Sequence, residues 1–367
     1  MGRMRCLDGL RGLLACYVML SHMLPFASLP AWLLSLFSHG GAAVDVFFIL
    51  SGLVIVQSLD SFGYRARPFL IARVARIYPV FLMVFAIAVA VQPLATEFDR
   101  MVWISTDSPA RFIWSTGWPD EWRMFVVTHL TMTHGLFPNG VLRDVWVGFL
   151  GAAWSLSTEW QFYLLALLLG GRLGLWRMAW LFLGMSIASI AWEAAAPEPW
   201  QFSRAFLPNK AQYFALGVVS ALVVADGWRR YWPVFIGVLA VCALQGGIDK
   251  ALPPLVWTIC LTAQLSVASD GRHKPGHGVG SWLVALLQSR LLVWLGAASY
   301  CIYLVNEPLQ KLLGVALAML ANGNAMLFTA LWIPGAVLLP ILAAWWLHKW
   351  VELPAQRYGR QALVNVQ

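Results

Sequence analysis

Apolar residues in this chain fall into runs long enough to cross a bilayer, separated by short segments where Arg, Lys, Gly and Pro gather. A helix crossing the hydrocarbon needs about 20 mostly apolar residues, and fewer where interfacial groups cap its ends. Ten runs qualify: 12–28, 43–59, 77–92, 152–169, 178–194, 210–226, 232–247, 253–269, 291–318 and 326–348. The pattern predicts an all-α polytopic membrane protein with about ten transmembrane helices. Composition points the same way. Of 367 residues, 60% are hydrophobic and 11% charged, with 21 Trp and 20 Phe, whereas a soluble domain is roughly 45–50% apolar. Too little polar surface remains to cover a compact domain in water, which excludes a soluble globule.

The net charge of +8 in a soluble protein would hint at nucleic acid. Here its distribution reads as topology. With the N-terminus inside, seventeen of the 25 Lys and Arg fall in cytoplasmic segments, seven in outer ones, and Lys311 lies within the ninth run. Translocation disfavours basic loops, so both termini are expected in the cytoplasm. The first run follows Arg3, Arg5 and Arg11 and lacks a small-x-small cleavage site, so it reads as an uncleaved first helix. Cys6, Cys16, Cys242, Cys260 and Cys301 show no C-x-x-C spacing, and neither a metal site nor a disulfide framework is expected.

One domain over residues 1–367 is expected, with no soluble domain appended and no internal repeat. The longest connection, 93–151, is rich in Trp and carries Asp99, Asp107, Asp120 and Glu121. Parity puts it outside, and its half-apolar stretches 122–136 and 141–150 suit interfacial or re-entrant helices.

Ionisable groups at membrane depth are functional candidates by default. His22 follows Arg11 by eleven residues, a helical rise of about 16 Å and close to three turns, so both project from nearly one face. Arg11 stands at the inner surface and His22 near the bilayer centre. Glu159, in Trp154-Ser155-Leu156-Ser157-Thr158-Glu159, enters from the outer end of the fourth run and can meet His22 there. A His with a carboxylate is an acid/base unit; the plainer reading of either is interhelical hydrogen bonding. Asp45, near the outer start of the second run, reads first as a helix N-terminal cap, with substrate positioning as the alternative. Arg73 and Arg76, three residues apart on one face below the third run, can clamp phosphates together with Arg11, and Arg65 and Arg67 precede them; positive-inside bias alone also puts arginines there. Gly276-His277-Gly278-Val279-Gly280 follows no predicted strand and reads as a flexible loop.

Several of these features coincide in order. Leu7-Asp8-Gly9-Leu10-Arg11-Gly12 with His22 is similar to an Arg, ten residues, His signature. Val44-Asp45-Val46-Phe47-Phe48 with Ser51-Gly52, Arg73-Val74-Ala75-Arg76-Ile77-Tyr78-Pro79, Trp154-Ser155-Leu156 with Glu159, Phe162 and Tyr163, Ser299-Tyr300-Cys301-Ile302-Tyr303, and Glu352-Leu353-Pro354 complete the series. Through them the chain resembles the membrane acyltransferase 3 family, bacterial integral-membrane enzymes that acylate cell-surface and secreted glycans. The resemblance implies the bacterial cytoplasmic (inner) membrane, acyl-CoA as co-substrate with no bound cofactor, and Arg73 and Arg76 at the donor. It implies an acceptor glycan, such as O-antigen, exopolysaccharide or a lipid-linked precursor, with acetyl as the default acyl group. Members often carry His in the place of Asn306, and Asn cannot titrate. Some members are fused to an extracytoplasmic hydrolase-like domain; here either the membrane domain does the whole transfer or a separate extracytoplasmic transferase does.

The expected mechanism has Arg73, Arg76 and Arg11 holding CoA phosphates at the inner face while the acyl arm threads toward His22. His22 is then either a general base supported by Glu159, or a nucleophile acylated first. Ser299 and Tyr303, four apart on one face, can position substrate or simply join helices. Two other classes stay open: a proton-coupled transporter of a small anion, and an inactive scaffold of a polysaccharide-assembly complex.

Overall fold

Helix boundaries sit where the chain loses a backbone donor or turns left-handed. In the computed structural model, which describes residues 5–94, 101, 103, 104, 111, 114, 117–269 and 279–364, helix α1 (Arg5–Met23) gives way to a 3-10 turn carrying Pro25. Helix α2 (Ala31–Leu36) starts after Pro30, and α3 (Gly40–Ser61) ends shortly before Gly63 at φ +56°. Next come α4 (Ala66–Val91), α5 (Trp122–Leu130), α6 (Trp154–Ala195), α7 (Ala211–Asp226) and α8 (Tyr231–Gln245). They are followed by α9 (Ile248–Ser269), α10 (Val279–Leu287), α11 (Arg290–Ala297), α12 (Ser299–Ala321) and α13 (Ala325–Leu347). A π-helical turn, His348–Glu352, leads into α14 (Leu353–Val364). The described residues form no β-strand beyond an isolated bridge between Pro138 and Phe202. Asp99, Asp107 and the loop residues Gly276, His277 and Gly278 lie outside the described residues.

Among the described residues, six helical stretches are long and apolar enough to cross a membrane: Arg5–Phe26, Ala31–Ser61, Ala66–Leu94, Gly151–Ala195, Ser299–Ala321 and Ala325–Ala362. A seventh appears if α10 and α11, bent by 55°, count as one. Ten apolar runs map onto fewer such stretches for identifiable reasons. Runs 152–169 and 178–194 share α6, and run 291–318 is split at Ala298 between α11 and α12. Runs 210–226 and 232–247 form α7 and α8, of 16 and 15 residues, a little under the roughly 20 of a full span and long enough only where interfacial groups cap the ends.

Helix α6 is a hairpin, not a rod. Gly174 adopts φ +70° and ψ 156° in its middle, a backbone conformation that glycine reaches without a Cβ penalty. Thr158 donates to the Ala205 carbonyl at 3.0 Å, and Ser186 donates to the Pro208 carbonyl at 3.1 Å. In a straight helix those two residues would stand about 42 Å apart. Meeting the same short segment, they require the second half to run back along the first.

Small residues decide which helices touch. A Cβ on Gly217 would stand 2.0 Å from the Ile49 carbonyl oxygen, so α3 and α7 pack backbone to backbone. A Cβ on Gly296 would stand 1.8 Å from the Asp8 carbonyl oxygen, which seats α11 against the first turns of α1. Such close approach maximises dispersion contact where lipid offers no hydrophobic drive between helices. At the junction of α3, α7 and α6 the Phe214 ring is tilted against Phe48 at 5.0 Å and stacked on Phe162 at 4.3 Å. Helix α14 returns to α4, where Gly359 lies against Ala75. The first turns of α1, the start of α4 and the last helix therefore gather at one end of the bundle.

Candidate functional site

At that end of the bundle α1, α3, α4, α6 and α12 enclose a cavity of about 100 Å³. Its wall includes Arg11 from α1, Ser51 from α3, and Arg73 and Arg76 from α4. Glu159 and Tyr163 come from α6, and Ser299, Tyr300 and Tyr303 from α12. The polar groups interrupt an apolar lining of Val44, Phe47, Phe48, Val54, Ile55, Ile77 and Leu156. Three guanidinium groups thus face one carboxylate in the wall, with Asp8 3.8 Å from Arg11 as a further acidic group. The excess is positive, and it suits an anion.

Each arginine is held by local structure. Arg73 and Arg76 share a face of α4 because three residues bring side chains nearly one turn apart. The Arg73 guanidinium donates from Nη2 to Ser58 at 3.0 Å and lies over the Phe69 ring at 5.6 Å. Its Nε is buried with no hydrogen-bond partner among the described residues. A buried, unanswered donor is costly unless something is brought to it. Tyr300 fixes α12 against α4 by donating to the Ile77 carbonyl at 2.7 Å.

Glu159 does belong to this cavity, but its hydrogen bond goes to Tyr163, which donates at 2.6 Å from one turn along α6. The expected pairing of His22 with Glu159 is not formed. His22 Nδ1 instead stands 2.9 Å from Asn306 Oδ1 on α12, and His22 is absent from the cavity wall. The reason lies in register: Glu159 is one turn beyond Ser155 toward the arginines, while Asn306 is one turn beyond Tyr303 in the opposite direction. Ser299 and Tyr303 both reach the cavity, with Tyr303 tilted against Phe47 at a centroid distance of 6.3 Å.

Asp45 is neither a cap nor a wall residue. The N-cap of α3 is His39, and Asp45 lies inside the helix in a buried ion pair with Lys210 at 2.7 Å. Lys210 also sits over the Trp154 and Tyr213 rings. Arg65 and Arg67 are exposed and do not reach the cavity.

Three buried clusters escaped sequence reasoning. The first closes the 122–153 segment onto the bundle: the rings of His129 and His134 stack at 4.2 Å, and Ser157 accepts the Gly135 N–H at 3.0 Å. Burial pushes both imidazoles below their usual pKa of about 6.5, His134 to about 4. The second lies on α12 beside Asn306, where Glu307 pairs with Lys311 at 3.1 Å and accepts the Ala152 N–H at 2.9 Å. Charges four apart in an apolar run were a signal for it. The third surrounds Glu352, which accepts from His348 Nδ1 at 2.7 Å, from the Cys301 thiol at 3.3 Å and from Gln356 at 3.0 Å. The Cys301, His348 and Glu352 ligand atoms are close enough together to hold a metal ion. Their short mutual contacts are those of a hydrogen-bonded carboxylate, which the π-helical turn presents to α12.

A sequence profile described as an acyltransferase domain matches residues 4–349. The chain is 28% identical to "Acyltransferase MdmB" of Streptomyces mycarofaciens, over 97% of this chain and 92% of that protein. No solved structure matches.

Proposed function

The chain belongs to the acyltransferase 3 family, and from that premise we propose that it moves an acyl group, acetyl by default, from cytoplasmic acyl-CoA to a hydroxyl of a surface or exported glycan. That it transfers acyl groups follows from the family. The donor and acceptor are our reading, and one observation carries it: arginines from α1 and α4 converge on a single cavity, while the helix that supplies Arg11 carries His22 about 16 Å further on. A polyanionic donor fits the arginines, and the spacing suits an extended acyl-pantetheine arm lying between them and the imidazole.

In this reading the arginine end faces the cytoplasm, and the path crosses the membrane ten times. The two halves of α6 count as two crossings, and α7, α8 and α9 contribute one each. The bent pair α10 and α11 stays at the inner side, which returns both chain ends to the cytoplasm. The 93–151 segment then covers the acceptor side of one continuous membrane domain, and a separate transferase is needed only if the acceptor never reaches His22.

His22 acts at the far end of the donor arm. As a general base it takes the acceptor hydroxyl proton while that oxygen bonds to the thioester carbonyl carbon; the C–S bond breaks, and the departing thiolate recovers a proton. As a nucleophile it is acylated first, releasing CoA, and the acceptor oxygen then displaces the imidazole. Glu159, hydrogen-bonded to Tyr163 among the arginines, serves the donor end by holding their charge in place. Ser299 and Tyr303 position the arm between the two ends.

The test uses membranes containing wild type, His22→Ala, or Arg73→Ala with Arg76→Ala, each given acetyl-CoA labelled in the acetyl group. Label should reach glycan in wild type, stay out of it in His22→Ala, and return in the double Arg variant at high acetyl-CoA. If intact donor gives no His22-dependent label in protein, lipid-linked sugar or polysaccharide, acetyl transfer is wrong.

A further inference from the structure

Asn306 occupies a buried position that is 0% exposed, and its amide has more than one contact. Its Nδ2 stands 3.0 Å from the Ile302 carbonyl oxygen and 2.6 Å from the Tyr303 carbonyl oxygen. Both neighbours accept only, so the group facing them must be the NH₂ and not the amide oxygen. That fixes which way the amide points by chemistry. The oxygen is then the atom left facing His22 Nδ1 at 2.9 Å. An amide oxygen only accepts, so Nδ1 must carry a proton. A neutral imidazole has one N–H, and with it committed to Nδ1 the lone pair lies on Nε2.

We propose that Asn306 is a positioning residue that holds His22 in its Nδ1–H tautomer and so makes Nε2 the atom that accepts the acceptor's proton or the acyl group. The proposal rests on the acyl-transfer reading for the use made of Nε2, but not for the tautomer. It gives Asn306 the orienting task that the sequence had assigned to Glu159. Unlike a carboxylate, the neutral amide fixes the tautomer without placing a negative charge beside the ring, so it gives the imidazolium no ion-pair stabilisation. The chain can do without a titratable group at this position because orientation, and not proton transfer, is what the position supplies.

Two measurements on the full-length protein in nanodiscs test this. The first is nitrogen NMR of protein labelled at histidine ring nitrogens, with His22→Gln identifying the signals of His22. In wild type, at a pH where the ring is neutral, Nδ1 should be protonated and Nε2 bare; the opposite tautomer overturns the proposal whatever the activity. The second is kinetics of Asn306→Leu, which keeps the shape and removes the acceptor. With acetyl-CoA as donor, kcat should fall at least tenfold, toward the roughly 10²–10⁴-fold that a positioned base contributes, while KM for acetyl-CoA changes less than twofold. The His22 signals should then show a mixture of tautomers. An unchanged kcat with an unchanged tautomer in Asn306→Leu overturns the proposal. Wild type that transfers no acetyl while showing the Nδ1–H tautomer refutes the acetyl-transfer reading and leaves the tautomer assignment standing.

Discussion

Removing one partner of the Asp45–Lys210 pair is the sharpest test of how this bundle is held. Both side chains are nearly inaccessible, at 3% for Asp45 and 8% for Lys210, and their charged atoms stand 2.7 Å apart. Asp45→Asn keeps the shape and leaves the ammonium without its counter-ion in a buried site. Breaking a buried pair in this way costs about 3–5 kcal/mol, most of it the desolvation of the charge left behind. The Trp154 and Tyr213 rings lie under the ammonium at 5.8 and 5.6 Å before and after the change and cancel in the difference, so a loss of about 3–5 kcal/mol is expected. The double variant Asp45→Asn with Lys210→Met has no stranded charge and should recover most of it. Reversible unfolding in mixed micelles measures all four proteins of the cycle. If Asp45 only builds the bundle, acyl transfer should also return in the double variant. A double variant as unstable as Asp45→Asn refutes the argument from stranded charge, and one that is stable but inactive refutes a purely structural Asp45.

Replacing Arg73 and Arg76 by Ala should raise KM for acetyl-CoA at least tenfold with kcat at saturation within threefold; a lost kcat at unchanged KM would remove the arginines from donor binding. Gly296→Ala must displace α11 from α1, because its methyl would stand 1.8 Å from the Asp8 carbonyl oxygen; folded yield should drop sharply, while Gly323→Ala, where φ is +84° but no atom lies within 4 Å, should cost only about 1 kcal/mol of backbone strain. Acid should loosen the 122–153 segment. His134 binds its proton only near pH 4 when folded and near 6.5 when free, so its contribution is present above pH 6.5 and is lost as pH falls toward 4, about 3 kcal/mol in all. Hydrogen exchange of Trp122–Leu130, corrected for intrinsic rates, should accelerate between pH 7 and pH 5; equal protection at both would contradict the buried neutral imidazole.

What was legible in the sequence was what repeats locally. Apolar runs marked the membrane class, and a three-residue spacing put Arg73 and Arg76 on one wall with Arg11. Glycine and arginine between the fourth and fifth runs marked the reversal that Gly174 makes inside α6. Partners far apart in the chain left no such trace. Asp45 read as a cap because Lys210 is 165 residues away, and His22 was matched with Glu159 because both carry chemistry, although Asn306, 284 residues away, holds it. Depth along a helix is easily read from residue number, but rotation and partner are set by where glycines let backbones meet. His129 and His134 stayed hidden because a buried stacked pair has no signature distinct from two polar residues in a loop.

The central claim is that the donor is used from the side on which the arginines open. Sealed membrane vesicles of the two orientations, both containing the protein, test it directly when impermeant labelled acetyl-CoA is added outside. Inverted vesicles, which expose the cytoplasmic face, should release CoA and transfer label to glycan, and Arg73→Ala with Arg76→Ala should reduce that transfer at low donor concentration. Right-side-out vesicles should do neither until they are permeabilised. Equal transfer by both sealed preparations would contradict the account.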